Sequence, residues 1–350
     1  MLNIYVGNNA FKSIHQQGFN QNLFTSFLGA SGGPKWFSLF GLDKYLFGEF
    51  FSERKDELNL IGSSAGAFRS ACFAQNDPVA AISRMAKSYS ETVYSKNAQP
   101  QEITQKAVEL LDYMLGDTGV YEIIDNPIFK AHFLVNKTNG ILESEHKLFQ
   151  LIGLSKSYLL NRIDRKCLKD QYERFVFRPA NSKLIIKDPC NFDTSYINLS
   201  NINLKSALLA SGSIPLVMQG IKDILGAPYG MYRDGGILDY HFDITIKPND
   251  GLTLYPHFNK NPKAGWFDKS LKRLVSPSSY DNVVLLVPSD EFIASLPYSK
   301  IPDRNDFKAL EPQARIKYWK TVLQETERIA EDFDRFLTTQ SLDKIKPLPF

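Results

Sequence analysis

The sequence is short of cysteine, of long apolar runs and of charge of one sign, and each shortage excludes a class of protein. Only Cys72, Cys167 and Cys190 occur. They are odd in number, far apart and without a C-x-x-C spacing, so buried thiols are expected rather than a disulfide frame or a zinc site. No uninterrupted apolar run approaches the ~20 residues of a membrane span. Met1-Leu2-Asn3-Ile4-Tyr5-Val6-Gly7 lacks a basic stretch followed by a long apolar one, so no signal peptide is expected and a soluble, cytoplasmic protein is. The net charge of +3, with Lys and Arg spread along the chain, argues against nucleic acid as a partner. Repeats, low-complexity stretches and a Pro/Gly/Ser-rich linker are also missing, so residues 1–350 are expected to form a single domain.

What is present is apolar and aromatic. The 25 Phe and 16 Tyr suit a large core or a greasy cleft, and composition alone does not separate the two. Strand-like runs (Leu23–Ala30, Leu58–Ile61, Phe129–Val135, Arg174–Phe177, Leu184–Lys187, Tyr196–Leu199, Val283–Val287) are mixed with helical patterns. The helical patterns begin at Pro34 and Ala67, cover Pro78–Tyr94, Gln101–Leu115 and Ser144–Leu160, and end in a long charged amphipathic stretch, Glu311–Leu337. Strands alternating with helices predict a layered α/β domain with a largely parallel sheet.

Three short segments carry chemistry. Gly62-Ser63-Ser64-Ala65-Gly66 is a G-x-S-x-G turn between a strand-like run and a helix-like one. A nucleophilic serine needs that setting, because glycines two before and two after it permit a sharp turn at a helix N-terminus. Chance supplies the pattern often enough that it is weak alone. Upstream, Gly29-Ala30-Ser31-Gly32-Gly33-Pro34-Lys35 fails as a phosphate-binding P-loop, since Pro34 precedes Lys35 and Trp36 follows it. Small residues there suit an oxyanion hole, for which Gly32, Gly33 and the Ala65 N–H are candidates; a tight turn without chemistry is the plainer alternative. Downstream, Met231-Tyr232-Arg233-Asp234-Gly235-Gly236 offers a carboxylate whose following glycines let it approach another loop. His241 and His257 lie late enough to serve instead as the base of a serine–histidine triad.

In this order the three segments resemble the patatin-like phospholipases, whose glycine loop, G-x-S-x-G turn and Asp-Gly-Gly segment follow one another in the same way. Lys35 stands where that family usually has Arg, Trp36 replaces a glycine, and Ser31 replaces the first glycine. Ala210-Ser211-Gly212-Ser213-Ile214-Pro215 resembles the family's small-residue segment before the catalytic Asp. The resemblance spans about Leu23 to Asp239; beyond Lys260 no motif is covered.

It implies a three-layer α/β/α fold with a mostly parallel central sheet, and a lipid acyl hydrolase with a Ser64–Asp234 dyad. Gly32, Gly33 and Ala65 would bind the oxyanion, with Lys35 beside them. A lipid or phospholipid ester would be the substrate, and no cofactor or metal would be needed. A catalytically decayed lipid-binding protein is the second alternative to that dyad, after the triad. Asp239, His241 and Asp243 would share a face if they lay on a strand and so hold a cation, although a hydrogen-bonded polar edge is the plainer reading. Lys260, Lys263, Trp266, Phe267, Lys269, Lys272 and Arg273 mix cations and aromatics as membrane-surface segments do, and an ordinary solvated loop does so too. The stretch Asp117–Asn181 is a candidate lid or acyl groove.

Overall fold

Leu58-Asn59-Leu60-Ile61 sends side chains alternately to two apolar layers. Leu58 and Leu60 enter one core and Ile61 the other. Val283–Val287 does the same, with Val284 and Leu286 on the first side and Val283, Leu285 and Val287 on the second. Strands buried on both faces are what a parallel sheet covered by helices requires.

In this computed structural model, which describes residues 1–248 and 250–350, the strands are β1 (Leu2–Val6), β2 (Phe24–Gly29), β3 (Leu58–Ser63), β4 (Phe129–Thr138), β5 (Tyr172–Arg178), β6 (Ile185–Lys187), β7 (Thr194–Asn198), β8 (Ile221–Lys222), β9 (Met231–Asp234), β10 (Thr245–Lys247), β11 (Leu252–Pro256), β12 (Val283–Pro288) and β13 (Ile345–Pro347). All but β6 and β10 join one sheet, ordered β13-β1-β12-β11-β2-β3-β4-β5-β7, with β9 on β4 and β8 on β9. The run β12-β11-β2-β3-β4 is parallel throughout. The protein is therefore a three-layer α/β/α fold whose large central sheet is mostly parallel and flanked by helices.

β4 is the pivot of the sheet. Its first half pairs with β3, ending at Ser63 opposite Leu134. Its second half pairs on the same edge with antiparallel β9, beginning at Asp234 opposite Val135, because β5 occupies the other edge. The C-terminal ends of β3 and β9 therefore meet head to head across two consecutive residues of β4.

Two helical expectations are corrected. The segment opened by Pro34 is not one α-helix but a 3₁₀ turn (Gly33–Leu39), a short α-helix (Phe40–Tyr45) and a π turn (Leu46–Phe50). Pro34 and Trp36 to Leu39 are all buried, so no single apolar stripe holds a regular register there. The long C-terminal pattern is two helices, Pro312–Glu325 and Glu327–Thr339. They divide at Thr326, whose Oγ1 donates to Leu323 O at 2.6 Å and accepts the Gly41 N–H at 2.9 Å. Among the described residues no helix is long and apolar enough to cross a membrane. All three cysteines are free; Cys72 is buried, whereas Cys167 and Cys190 are only half-buried.

Candidate active site

Ser64 sits between β3 and the helix Ala65–Phe73, at φ 54° and ψ −126°. For a residue with a Cβ this backbone costs on the order of 1–3 kcal/mol, so the surroundings must hold it. Three contacts do. The Ser64 N–H donates to Ser211 Oγ at 3.0 Å, and that hydroxyl donates to Leu134 O at 2.7 Å. Ser31 Oγ bridges to the Ser63 hydroxyl at 2.9 Å. The flanking glycines are a matter of space: a Cβ on Gly66 would overlap the Gly29 carbonyl, and one on Gly62 would overlap the Gly66 carbonyl.

The head-to-head meeting of β3 and β9 brings the first pair of site residues together. Ser64 Oγ donates to Asp234 Oδ2 at 2.8 Å, and both residues are buried, 4% and 6% exposed. The other carboxylate oxygen accepts the Gly236 N–H at 2.7 Å, and the Asp234 N–H donates to Ser213 O at 3.0 Å. Asn136 Nδ2 donates to the carbonyls of Asp234 and Gly235. Side chains are excluded at the next two positions, since a Cβ on Gly235 would strike Leu134 O and one on Gly236 would lie 2.5 Å from Ser31 Oγ. Burial pushes the Asp234 carboxyl above its ordinary pKa, while Arg304, the Gly236 N–H, the Ser64 hydroxyl and Lys269 pull the other way without cancelling the rise.

The remaining expected residues separate. Gly33, Ser64 and Ala65 line one cleft of about 650 Å³. Among the described residues nothing accepts a hydrogen bond from the Gly33 or the Ala65 N–H. Gly32 lies outside the cleft lining, pressed against the Phe258 ring, where a Cβ would come within 2.6 Å of it. Lys35 pairs with Asp303 at 3.4 Å and does not line the cleft.

Two other cations, Lys106 and Arg304, line the main cleft, and Arg304 also lines the smaller recess holding Ser64, Asp234, Tyr240, Trp266 and Lys269. Nothing in the sequence marks Arg304, which lies 304 − 234 = 70 positions beyond Asp234 in no motif. Lys269 rests over the Tyr240 ring at 3.9 Å. Although the residue as a whole is exposed, desolvation of its ammonium there, then Arg304 and Lys35 nearby, lower its pKa.

The apolar walls come from unexpected places. Met85, Ile103 and Leu110, on the helices Pro78–Glu91 and Pro100–Leu115, face Phe68, Ile214 and Met218 across the cleft. No residue of Asp117–Asn181 lines it, so that stretch is not the groove.

His241 and His257 lie together, rings 4.3 Å apart, and neither lines the cleft or bonds to Ser64 or Asp234. Burial lowers both, His257 to about 3. Residues 239–243 follow an irregular path rather than a strand, and their side chains diverge. Asp239 is gripped by Arg174 at 2.7 Å, His241 Nδ1 accepts the Lys263 N–H at 3.0 Å, and Asp243 accepts the Ser276 N–H at 3.1 Å. Among the described residues no three His, Cys, Asp or Glu side chains cluster as metal ligands do.

The basic, aromatic segment divides, with Phe267 buried and Lys263 and Arg273 engaged within the fold while Lys269 and Lys272 are exposed. Lys263 donates to Leu271 O and Arg273 O, Arg273 pairs with Asp268, and Lys260 pairs with Asp290.

No protein-family model matches this chain, and no curated protein matches it. Among solved structures it is similar to the crystal structure of VipD from Legionella pneumophila, at 12% identity and a TM-score of 0.32, over 87% of this chain and 67% of that one. A likeness of that size carries no functional weight.

Proposed function

We propose that the chain is a serine acyl hydrolase of lipid carboxylic esters, working through a Ser64–Asp234 dyad of the patatin-like kind. The observation that carries this reading is the 2.8 Å hydrogen bond from Ser64 Oγ to Asp234 Oδ2, made from a strained turn at a helix N-terminus. Ser64 Oγ attacks the acyl carbonyl while its proton passes to Asp234. The carbonyl oxygen becomes an oxyanion within reach of the two unengaged N–H groups, Gly33 and Ala65, and of the positive end of the helix that Ala65 opens. Asp234 then returns the proton to the departing alcohol, leaving the acyl group on Ser64. A water, losing its proton to the same carboxylate, attacks next; Asp234 passes that proton to the departing Ser64 Oγ, which frees the acid and restores the dyad. A carboxylate is a weak base toward a hydroxyl, so a buried Asp234 with raised basicity is the helpful arrangement.

The apolar cleft walls favour an acyl chain as the group held beside Ser64, and the recess with Lys269 and Arg304 favours a polar or anionic remainder. Nucleic acid has no place in this reading, and no step in it calls for a metal. The position of the two histidines weighs against a triad. The test is hydrolysis of a panel of acyl esters by wild type, Ser64→Ala and Asp234→Asn. Wild-type turnover lost in both variants supports the dyad; turnover surviving in Asp234→Asn removes it.

A further inference from the structure

The helix Lys147–Ile163 is turned inside out. Its buried positions are mostly polar or small: Gln150, Gly153, Ser157 and Asn161, with Leu154. Gln150 Oε1 accepts the Leu216 N–H at 2.8 Å, Ser157 shares a hydrogen bond with Tyr172, and Asn161 donates to Asp268. The apolar side chains face outward instead, with Leu148, Ile152, Leu159 and Ile163 exposed by 54, 50, 60 and 79%. Spaced by four, seven and four residues, they lie on one side of the helix over about 22 Å, at a rise of ~1.5 Å per residue, with the exposed Ser155 and Lys156 between Ile152 and Leu159. Phe149 and Leu151, both exposed, widen that side. Single exposed leucines are ordinary, whereas six large apolar side chains exposed on one helix mark an interaction site.

We propose that this face docks on an anionic lipid bilayer, the helix lying in the headgroup region with its apolar side inserted. Charge selects this occupant. The helix contains Lys147, Lys156 and Arg162 and no Asp or Glu. The adjoining loop, tied on by Arg273 Nη2 donating to Asn161 O at 2.7 Å, adds the exposed Lys272 and Leu274. Cations flanking an apolar helix face suit an interface of anionic headgroups above acyl chains. Through Gln150 the inner side of this helix holds the segment whose Ile214 and Pro215 line the site, so docking sets the cleft beside the lipid.

The experiment is vesicle flotation of the Ser64→Ala protein, so that binding is read without hydrolysis and its failure stays distinct from failure of the enzymatic reading. Vesicles are phosphatidylcholine alone or mixed with phosphatidylglycerol. The protein is expected to float with the mixed vesicles. Adding Leu148→Ser, Ile152→Ser and Leu159→Ser weakens partitioning at least about tenfold, with the circular dichroism spectrum unchanged because these side chains are exposed. Adding Lys156→Glu and Arg162→Glu instead lowers binding to the mixed vesicles and flattens its salt dependence. Equal flotation of the serine variant and its parent overturns the proposal. So does a parent that floats with neither vesicle, including one that forms a dimer which the serine substitutions dissolve.

Discussion

Asp234 is held against its own solvation. Burial raises its pKa, and the neighbours that stabilise the carboxylate, Arg304 first, recover only part of the cost. A base raised in this way accepts a serine proton more readily. Activity is expected to fall with falling pH along a limb centred above the ordinary aspartate value of 3.8, read from kcat/KM profiles on an uncharged ester. The same shift has a stability sign. Between the unfolded and the raised folded pKa the native state binds more protons, so stability falls as pH rises through that window and stays reduced at neutral pH. Asp234→Asn is therefore expected to melt at or above the wild-type temperature at pH 7 while losing turnover. A clearly lower melting temperature would show that the charge is not strained.

The elements explain which features of the site were legible in advance. The Gly62 and Gly66 pattern was readable because the helix approaches β2 and β3 so closely that only hydrogen fits. Gly66→Ala is expected to yield little folded protein, since the obstacle is the Gly29 backbone rather than a movable side chain, and soluble expression with far-ultraviolet circular dichroism checks this. Strand positions such as Val283–Pro288 followed from continuous apolar runs. The break at Thr326 did not, because helical periodicity runs through it while its cause, the Gly41 backbone, lies 285 residues away. Gly41→Ala is expected to cost at least about 1–3 kcal/mol in denaturant unfolding, the scale of overpacking, because its Cβ would overlap Thr326 O. Residues 239–243 are hydrogen-bonded polar groups, the plainer of the two readings, although not on a strand. Their alternation implies a shared face only on a strand, and the chain there is irregular, with Asp239 held by Arg174.

At the scale of the whole molecule, the site is assembled from Ser64, Asp234 and Arg304, and only the sheet order and the C-terminal segment bring them together. Sequence order revealed the first two through their motifs; Arg304 has none and was found by its place in the cleft. Arg304 favours the ionised Asp234, so Arg304→Gln is expected to move the acid limb of the pH profile upward. An unmoved limb would mean that the guanidinium acts on the bound ester alone.

The proposed function depends on one step, attack by a Ser64 hydroxyl that Asp234 activates. Labelling with a fluorophosphonate probe, with the modified residue located by mass spectrometry, tests it most directly. A working dyad predicts a covalent adduct on Ser64 in the wild type, none in Ser64→Ala, and a rate reduced by about a hundredfold or more in Asp234→Asn, the scale of losing a general base. Failure of the wild type to label, or equal labelling rates in wild type and Asp234→Asn, would contradict it.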